Sequence, residues 1–398
     1  MHTHAAPPRL GFVITVVVLL FGYFMFARGS VDLLLGMRGE PQTLTAVQQL
    51  PQTDFGLFWC AGKGLMAKAA QHLGLAGPDP AYQQICQLDI LAADAQPASA
   101  WPYPPPAGFW VVPLAALPLA LSFWIWRAFS LILGALLLRG AGLGWTVTIA
   151  GLASPAGLHD MTCGQNGTVT GALLTAALLL AARRPAVAGA LGGVLALKPQ
   201  IILVFPAIIW RRGGARLVLA GAITVLLLVL ASLAVWGVAQ WSWFLRISAA
   251  DELRSAAAPF SAAFPSAGIT VYYMARSFGA APALAWKFQD ISAGTALLLI
   301  WAAWRPGRMA EIPRMAFTAS LGVLAMPHGF AYDLVAFSTG MAALFFRAGE
   351  WERLVLALLW LMGGYTITVA GHTGLVLFPL WAMCGAAMAW RLRAGADQ

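Results

Sequence analysis

Between residues 107 and 393 the chain passes through one apolar run after another, most of them separated by turns of only a few residues, with one longer interval at 237–285. It carries too little charge to coat such a length against water. Only 10% of its 398 residues are Asp, Glu, Lys or Arg, and 60% are apolar, whereas a soluble chain has roughly a quarter charged residues. A soluble enzyme, a disordered scaffold and a collagen-like chain are excluded. The expected fold class is an all-α polytopic membrane protein, one integral membrane domain over residues 1–398.

The net charge of +9 would suggest a nucleic-acid partner in a soluble domain. Here the basic residues occur as pairs between apolar runs, such as Arg183-Arg184 and Arg211-Arg212, with no aromatic residues interleaved. That pattern marks cytoplasmic turns, and no nucleic acid is expected. The four cysteines, Cys60, Cys86, Cys163 and Cys384, form no C-x-x-C pair, so a zinc or redox motif has no support. Cys60 and Cys86 share one long polar loop; a disulfide between them and two free thiols both remain open.

Leu10 to Ala27 is long enough to cross a bilayer and lacks a small-x-small cleavage site, so it reads as an uncleaved anchor. Residues 29–106 follow, too polar for lipid, and are expected to form an extramembrane loop with short amphipathic helices at 56–70 and 89–95. Residues 107–393 form the helix bundle. Spans are expected at 122–138, 145–158, 166–182, 216–236, 286–304, 315–327, 330–346, 354–370 and 373–390. Residues 107–119, with Pro113 and Pro118, read as a dipping helix. Residues 186–210 are interrupted at Lys198-Pro199 and read as two half-helices, a break tolerated where it lines a cavity. The total is roughly eleven to thirteen membrane or dipping helices, with no internal repeat.

With the N-terminus in the cytoplasm, fourteen of the 24 Lys and Arg residues fall on the cytoplasmic side, the arrangement that orients membrane proteins. Both termini are then cytoplasmic. On this topology the uncommon polar residues collect on the external side: Asp54, His159, Asp160, Gln165, Asn166, Lys198, His328, Tyr332, Asp333 and His372. Polar groups gathered at one face suggest a site open to one compartment, whereas alternating-access transporters place theirs near the midplane.

Each residue also has a plainer role. Asp54 precedes an aromatic-rich amphipathic stretch, Phe55-Gly56-Leu57-Phe58-Trp59, and could cap its helix. Lys198 could snorkel to water; the functional alternative is an anion site at a broken helix, since a lone Lys in an apolar stretch costs a few kcal/mol without a partner. Asn166 could cap the helix after it. Asp333 could pair with a cation inside the bundle. His328 and His372 could be hydrogen-bonded interface histidines. Gathered on one face, these residues point to a site.

Asp54-Phe55, Trp101-Pro102-Tyr103-Pro104-Pro105, Gly164-Gln165-Asn166, Leu197-Lys198-Pro199 and Pro327-His328-Gly329-Phe330-Ala331-Tyr332-Asp333 occur in that order. In this the chain resembles glycosyltransferase family 87, polytopic enzymes of the GT-C type. The family includes the polyprenyl-phosphate-mannose-dependent mannosyltransferases of phosphatidylinositol-mannoside synthesis. The resemblance runs from about residue 10 to 390 and implies a hexosyltransferase in the bacterial inner (plasma) membrane. It would move a mannose-like sugar, with inversion, from a polyprenyl-phosphate carrier to a lipid or glycan acceptor hydroxyl on the external side. It also implies Asp54 as general base and His328 beside the phosphate. The loop from Cys60 to Ala100 is longer and more polar than the family pattern, which bears on the acceptor side.

The chemistry is consistent with this on its own terms. Phosphate is already a good leaving group, so neither a metal nor another cofactor is required in principle; cationic side chains such as Lys198 and His328 can stabilise the departing charge. Asp54, ionised at neutral pH unless strongly perturbed, suits the removal of an acceptor proton. Tyr103, Gln165, Asn166, Tyr332, Asp333, His159 and Asp160 are candidates to bind sugar hydroxyls, and Trp101 to stack on a sugar face. Two other classes stay open: a transporter or flippase for a lipid-linked or anionic solute, with Lys198 as its binding charge, and a non-catalytic subunit of an envelope complex. Tags placed after residue 28 and in the turn at residue 328 should both report the external face; opposite faces would end the single-site reading.

Overall fold

The computed structural model describes residues 10–36, 54–75, 102–209, 214–260 and 267–394. The backbone is predominantly helical, and the β pairing among the described residues is one isolated bridge between Gly268 and Phe330. The anchor is α1 (Leu10–Gly36), and the amphipathic helix of the first loop is α2 (Asp54–Leu73). The helix expected at 89–95 lies outside the described residues. The dipping stretch is a 3-10 turn, Pro105–Ala107, followed by the eight-residue α3 (Gly108–Ala115). Next comes α4 (Leu119–Gly140).

The single span expected at 145–158 is two short helices, α5 (Trp145–Leu152) and α6 (Pro155–Cys163). Ser154 restarts the helix: its hydroxyl accepts from the Gly157 N–H at 3.1 Å, and Pro155 takes the first helical position, where its missing N–H costs nothing. Helix α7 (Gly167–Leu180) follows, then a hairpin. Its first limb is α8 (Pro185–Val194), extended by a 3-10 turn to Leu197. Its second is a 3-10 stretch, Pro199–Val204, continued by α9 (Phe205–Ile209). Pro199 disfavours helical geometry at the residue before it, and Lys198 accordingly sits at φ −130°, ψ 78°. The limbs fold back on each other, with the Phe205 ring against Gly192, so Lys198 occupies the hairpin's tip.

The long α10 (Gly214–Trp243) is kinked at Gly237, whose φ is 71°. Residues 237–285 carried no expected element beyond that helix. They hold a π turn (Phe244–Ser248), the amphipathic α11 (Ala249–Ala257) and α12 (Val271–Ser277). Then come α13 (Pro282–Ala303), α14 (Glu311–Ala325), a 3-10 turn (Ala331–Leu334), α15 (Val335–Phe345), α16 (Glu350–Thr373) and α17 (Phe378–Arg391).

These helices form two shells. In α7 every one of the 14 residues is buried, and α14 and α15 are nearly as enclosed. A helix apolar all round belongs inside a bundle. Among the described residues, four helices are long and apolar enough to cross a bilayer alone: Leu10–Ser30, Leu119–Gly140, Gly214–Arg246 and Glu350–Thr373. The first and third expose Leu20, Phe21, Phe24, Leu219 and Leu227. Such side chains on a membrane protein face lipid. Shorter helices are tolerated because neighbouring protein, not lipid, surrounds them.

Hydrocarbon gives no solvophobic push between helices, so close backbone approach matters more. On α8, Gly189 and Gly193 lie against Leu217, Gly221 and Thr224 of α10. The pairing advances in the same direction along both helices, so they run parallel. A Cβ at Gly189 would come within 2.1 Å of the Leu217 carbonyl oxygen.

The bundle's two ends differ chemically. At one, Arg183 bonds Ala141 O at 3.0 Å and Glu311 at 3.1 Å, Arg391 pairs with Glu352, and Ala310 N donates to Arg393 O. The start of α1 belongs there too, since Phe12 N donates to Glu350 at 3.0 Å. The other end carries the polar cluster described below. Gly189→Ala should lower stability by about 1–3 kcal/mol, the usual cost of overpacking. Thermal unfolding in detergent reads this, with Gly294→Ala, which meets open space, as the control.

Candidate active site

The site is built where the α6–α7 turn, the hairpin tip and the turn after α14 converge on the start of α2. Gly164 ends α6 in the left-handed region at φ 78°, which favours glycine. It also leaves no room for a side chain, because a Cβ there would lie 2.3 Å from the Cβ of Phe55. Phe55, 1% exposed, packs edge-on against Phe123 of α4 at 5.5 Å. This contact seats α2 on the turn and sets Asp54 beside Gln165, whose Nε2 donates to Asp54 Oδ2 at 2.8 Å. The Gln165 Oε1 accepts from the Tyr103 hydroxyl at 3.2 Å, and its backbone carbonyl accepts from Trp126 Nε1 at 3.0 Å. Asp54 is therefore bound to a residue of the α6–α7 turn.

Asn166 does not cap α7 through its side chain. Asp160 does: its two oxygens accept from Gly167 N at 2.7 Å and Thr168 N at 2.9 Å. Asn166 is left to face the hairpin tip, where its Oδ1 accepts from Lys198 Nζ at 3.2 Å. Lys198, only 4% exposed, is ion-paired with Asp333 Oδ1. It does not snorkel. The other oxygen of Asp333 accepts from Phe330 N at 3.1 Å and closes the turn. Gly167 brings the parts together, since a Cβ there would meet Tyr332 O at 1.8 Å.

Aromatic rings line the cluster. Lys198 Nζ lies 4.9 Å from the Tyr332 ring centre, and the His159 ring stacks near-parallel to Tyr332 at 6.3 Å and 13°. Phe330 joins Tyr332 at 5.5 Å to His328 at 4.7 Å. His328 Nδ1 lies 2.9 Å from the Tyr273 hydroxyl. His372 is exposed and bonds Thr368 O on its own helix. Trp101 lies outside the described residues. Cys60, on α2, is disulfide-bonded, which decides one half of the choice left open above, and Cys163 is a free thiol; Cys86 lies outside the described residues.

Burial pushes the Asp54 carboxyl above the ordinary carboxylate range. The Gln165 hydrogen bond and the charge of Lys198 pull it back down, and Asp160 and Asp333 add to the rise. The carboxylate is thus less readily ionised than the sequence alone implies, with the Gln165 hydrogen bond and the Lys198 charge opposing the rise.

Two residues here were not singled out from the sequence. Tyr273 came from a segment without an expected element. Arg127, 5% exposed inside α4, donates to Asp160 O at 2.8 Å and sits 4.2 Å from the Phe123 ring centre. Its Nε and Nη2 find no hydrogen-bond acceptor among the described residues. A lone arginine within the apolar run 122–138 was the available signal.

The fold and its polar end describe an integral membrane protein with a carboxylate and a histidine in one ring-lined cluster. The sequence model of glycosyltransferase family 87 matches residues 101–327. The chain belongs to this family, and it is a membrane glycosyltransferase. The match takes in Tyr103, Gln165, Asn166, Lys198 and Tyr273, begins beyond Asp54 and stops one residue short of His328. No curated protein and no solved structure matches the chain significantly.

Lys198→Met should destabilise the protein by about 3–5 kcal/mol, because it leaves the Asp333 charge buried without its partner. Adding Asp333→Asn should recover part of that loss. Chemical or thermal unfolding of the single and double variants in detergent measures both.

Proposed function

We propose that the protein transfers a hexosyl group, mannose-like, from a polyprenyl-phosphate sugar to a hydroxyl of a lipid or glycan acceptor, with inversion and on the extracytoplasmic side. The observation that carries this is the hydrogen bond from Gln165 to Asp54, which holds a half-buried carboxylate at the mouth of the cluster. Sidedness is supported by the arginine-rich turns gathered at the opposite end and by the disulfide at Cys60 on α2, a bond that persists in oxidising compartments. The termini are then cytoplasmic and the membrane is the plasma membrane.

In the reaction, the acceptor oxygen attacks the anomeric carbon from the face opposite the phosphate. A carbon–oxygen bond to the acceptor forms as the bond to phosphate breaks. The acceptor proton passes to Asp54, and the bonding electron pair leaves with the phosphate. Asp54 acts as general base. His328 stabilises the departing charge. Lys198 is already shared between Asn166 and Asp333, so its part is to fix Asn166 and Tyr332 more than to offer a bare charge. Tyr103, Gln165, Asn166 and Tyr332 carry polar groups suited to sugar hydroxyls. His159 supports Tyr332, and Asp160 supports the turn through its two backbone bonds.

Purified protein incubated with radiolabelled polyprenyl-phosphate sugars and membrane lipid extract should yield a labelled product. Asp54→Asn should lower its rate by about 10²–10⁴, the range of general-base contributions, with the fold intact. A transporter would leave Asp54→Asn nearly silent. The base works only when deprotonated, and its pKa is raised by burial. Activity should therefore fall with decreasing pH along a limb above the ordinary carboxylate range. Gln165→Leu removes an interaction that lowers this pKa, so a pH–rate profile should show the limb displaced to higher pH; displacement to lower pH would contradict the base assignment.

A further inference from the structure

A neutral imidazole carries one hydrogen, and the atom that holds it decides what the ring can do. At His328 a neighbour that bears on this choice is Tyr273, whose hydroxyl lies 2.9 Å from Nδ1. Tyr273 is fully buried in the first turn of α12. The Tyr272 ring meets it edge-on at 5.1 Å, and the Phe330 ring stacks at 6.4 Å. Its ring also fills the space beside Gly268, where a Cβ would come 2.0 Å from Cδ2.

The segment carrying Tyr273 is tied to the His328 turn by backbone as well. Ile269 N donates to Gly329 O at 3.0 Å, within the bridge between Gly268 and Phe330. From the far side, Gln289 of α13 accepts from Tyr272 N and donates to Leu324 O of α14, both at 3.0 Å. Tyr273 is thus held in fixed register against the turn that bears His328. A hydroxyl held this way can fix the plane of the ring through Nδ1.

We infer that Tyr273 is a positioning residue for His328: its O–H donates to Nδ1, sets the plane of the ring and keeps the imidazole hydrogen on Nε2. A phenol hydroxyl donates more strongly than its oxygen accepts, which favours this direction of the bond. The ring then presents an N–H, suited to an anion, rather than a lone pair suited to a proton. On the proposed transfer reaction, on which this consequence rests, His328 gives a hydrogen bond to the leaving phosphate, and the base is Asp54 alone.

The test uses full-length protein with ¹⁵N-labelled histidine in lipid vesicles, at a pH high enough to keep imidazoles neutral. His328 resonances are assigned by their loss in His328→Gln. The expected spectrum has a protonated Nε2 and an unprotonated Nδ1, and Tyr273→Phe, which keeps the ring and deletes the hydroxyl, should erase that preference. A hydrogen on Nδ1 in the native protein, or a spectrum indifferent to Tyr273→Phe, overturns the inference. In the transfer assay with polyprenyl-phosphate mannose, Tyr273→Phe should lower kcat about tenfold with KM held, the worth of one hydrogen bond. It should cost nothing further on top of His328→Gln; additive losses would make Tyr273 merely structural. The spectrum needs no turnover. If the native protein transfers nothing, the proposed reaction fails while the resonances still decide the role of Tyr273.

Discussion

An ammonium at the tip of a membrane hairpin and a carboxylate in the turn before α15 meet inside this protein, beyond the reach of bulk water. Neither charge is tolerable there alone, and the geometry of the polar end follows from their pairing. For Lys198 to reach Asp333, the chain must break at Pro199 and fold its two half-helices side by side. For Asp333 to stay, the turn after Phe330 must close, which it does by accepting that residue's N–H. The pair thereby fixes three things at once: the depth of the hairpin, the entry to α15, and the face of Tyr332 over which the ammonium lies.

A second layer sits on this one. Asp160 spends both carboxylate oxygens on the first N–H groups of α7, and so frees Asn166 to turn toward Lys198 and Gln165 toward Asp54. Gly164 and Gly167 make this possible by letting α2 and the Tyr332 backbone come within contact of the turn. The catalytic carboxylate proposed here is therefore placed by residues more than a hundred positions away in sequence. Helix α2 supplies the acid; the bundle decides where it points.

Much of this was legible beforehand, for a reason rooted in the bilayer. A span requires about twenty apolar residues, and a charge within one is expensive, so Lys198, His328 and Asp333 stand out against their surroundings; Asp54, one acid among several in a polar loop, is marked only by the aromatic stretch that follows it and by the family resemblance. Helix breaks were harder. Ser154-Pro155 is a standard restart signal, yet the apolar run across it reads as continuous until the Gly157 N–H is seen bonding Ser154. Adjacency made Asn166 the natural cap of α7, and only tertiary contact reveals that Asp160 holds that post. Tyr273 was invisible because a tyrosine in a mixed segment breaks no rule. Arg127 went the other way, absorbed into the run it interrupts.

The enclosure of α7 has a geometric corollary. With 14 residues at about 1.5 Å each it spans only about 21 Å, against a hydrocarbon slab about 30 Å thick. If its arginine-side end lies level with one face, its first turn stops about 9 Å beneath the other. The polar groups gathered there then form the floor of a well sunk below the headgroups. On the proposed reaction, a carrier lipid entering sideways would bring its phosphate down toward that floor while its tail stays in the surrounding hydrocarbon.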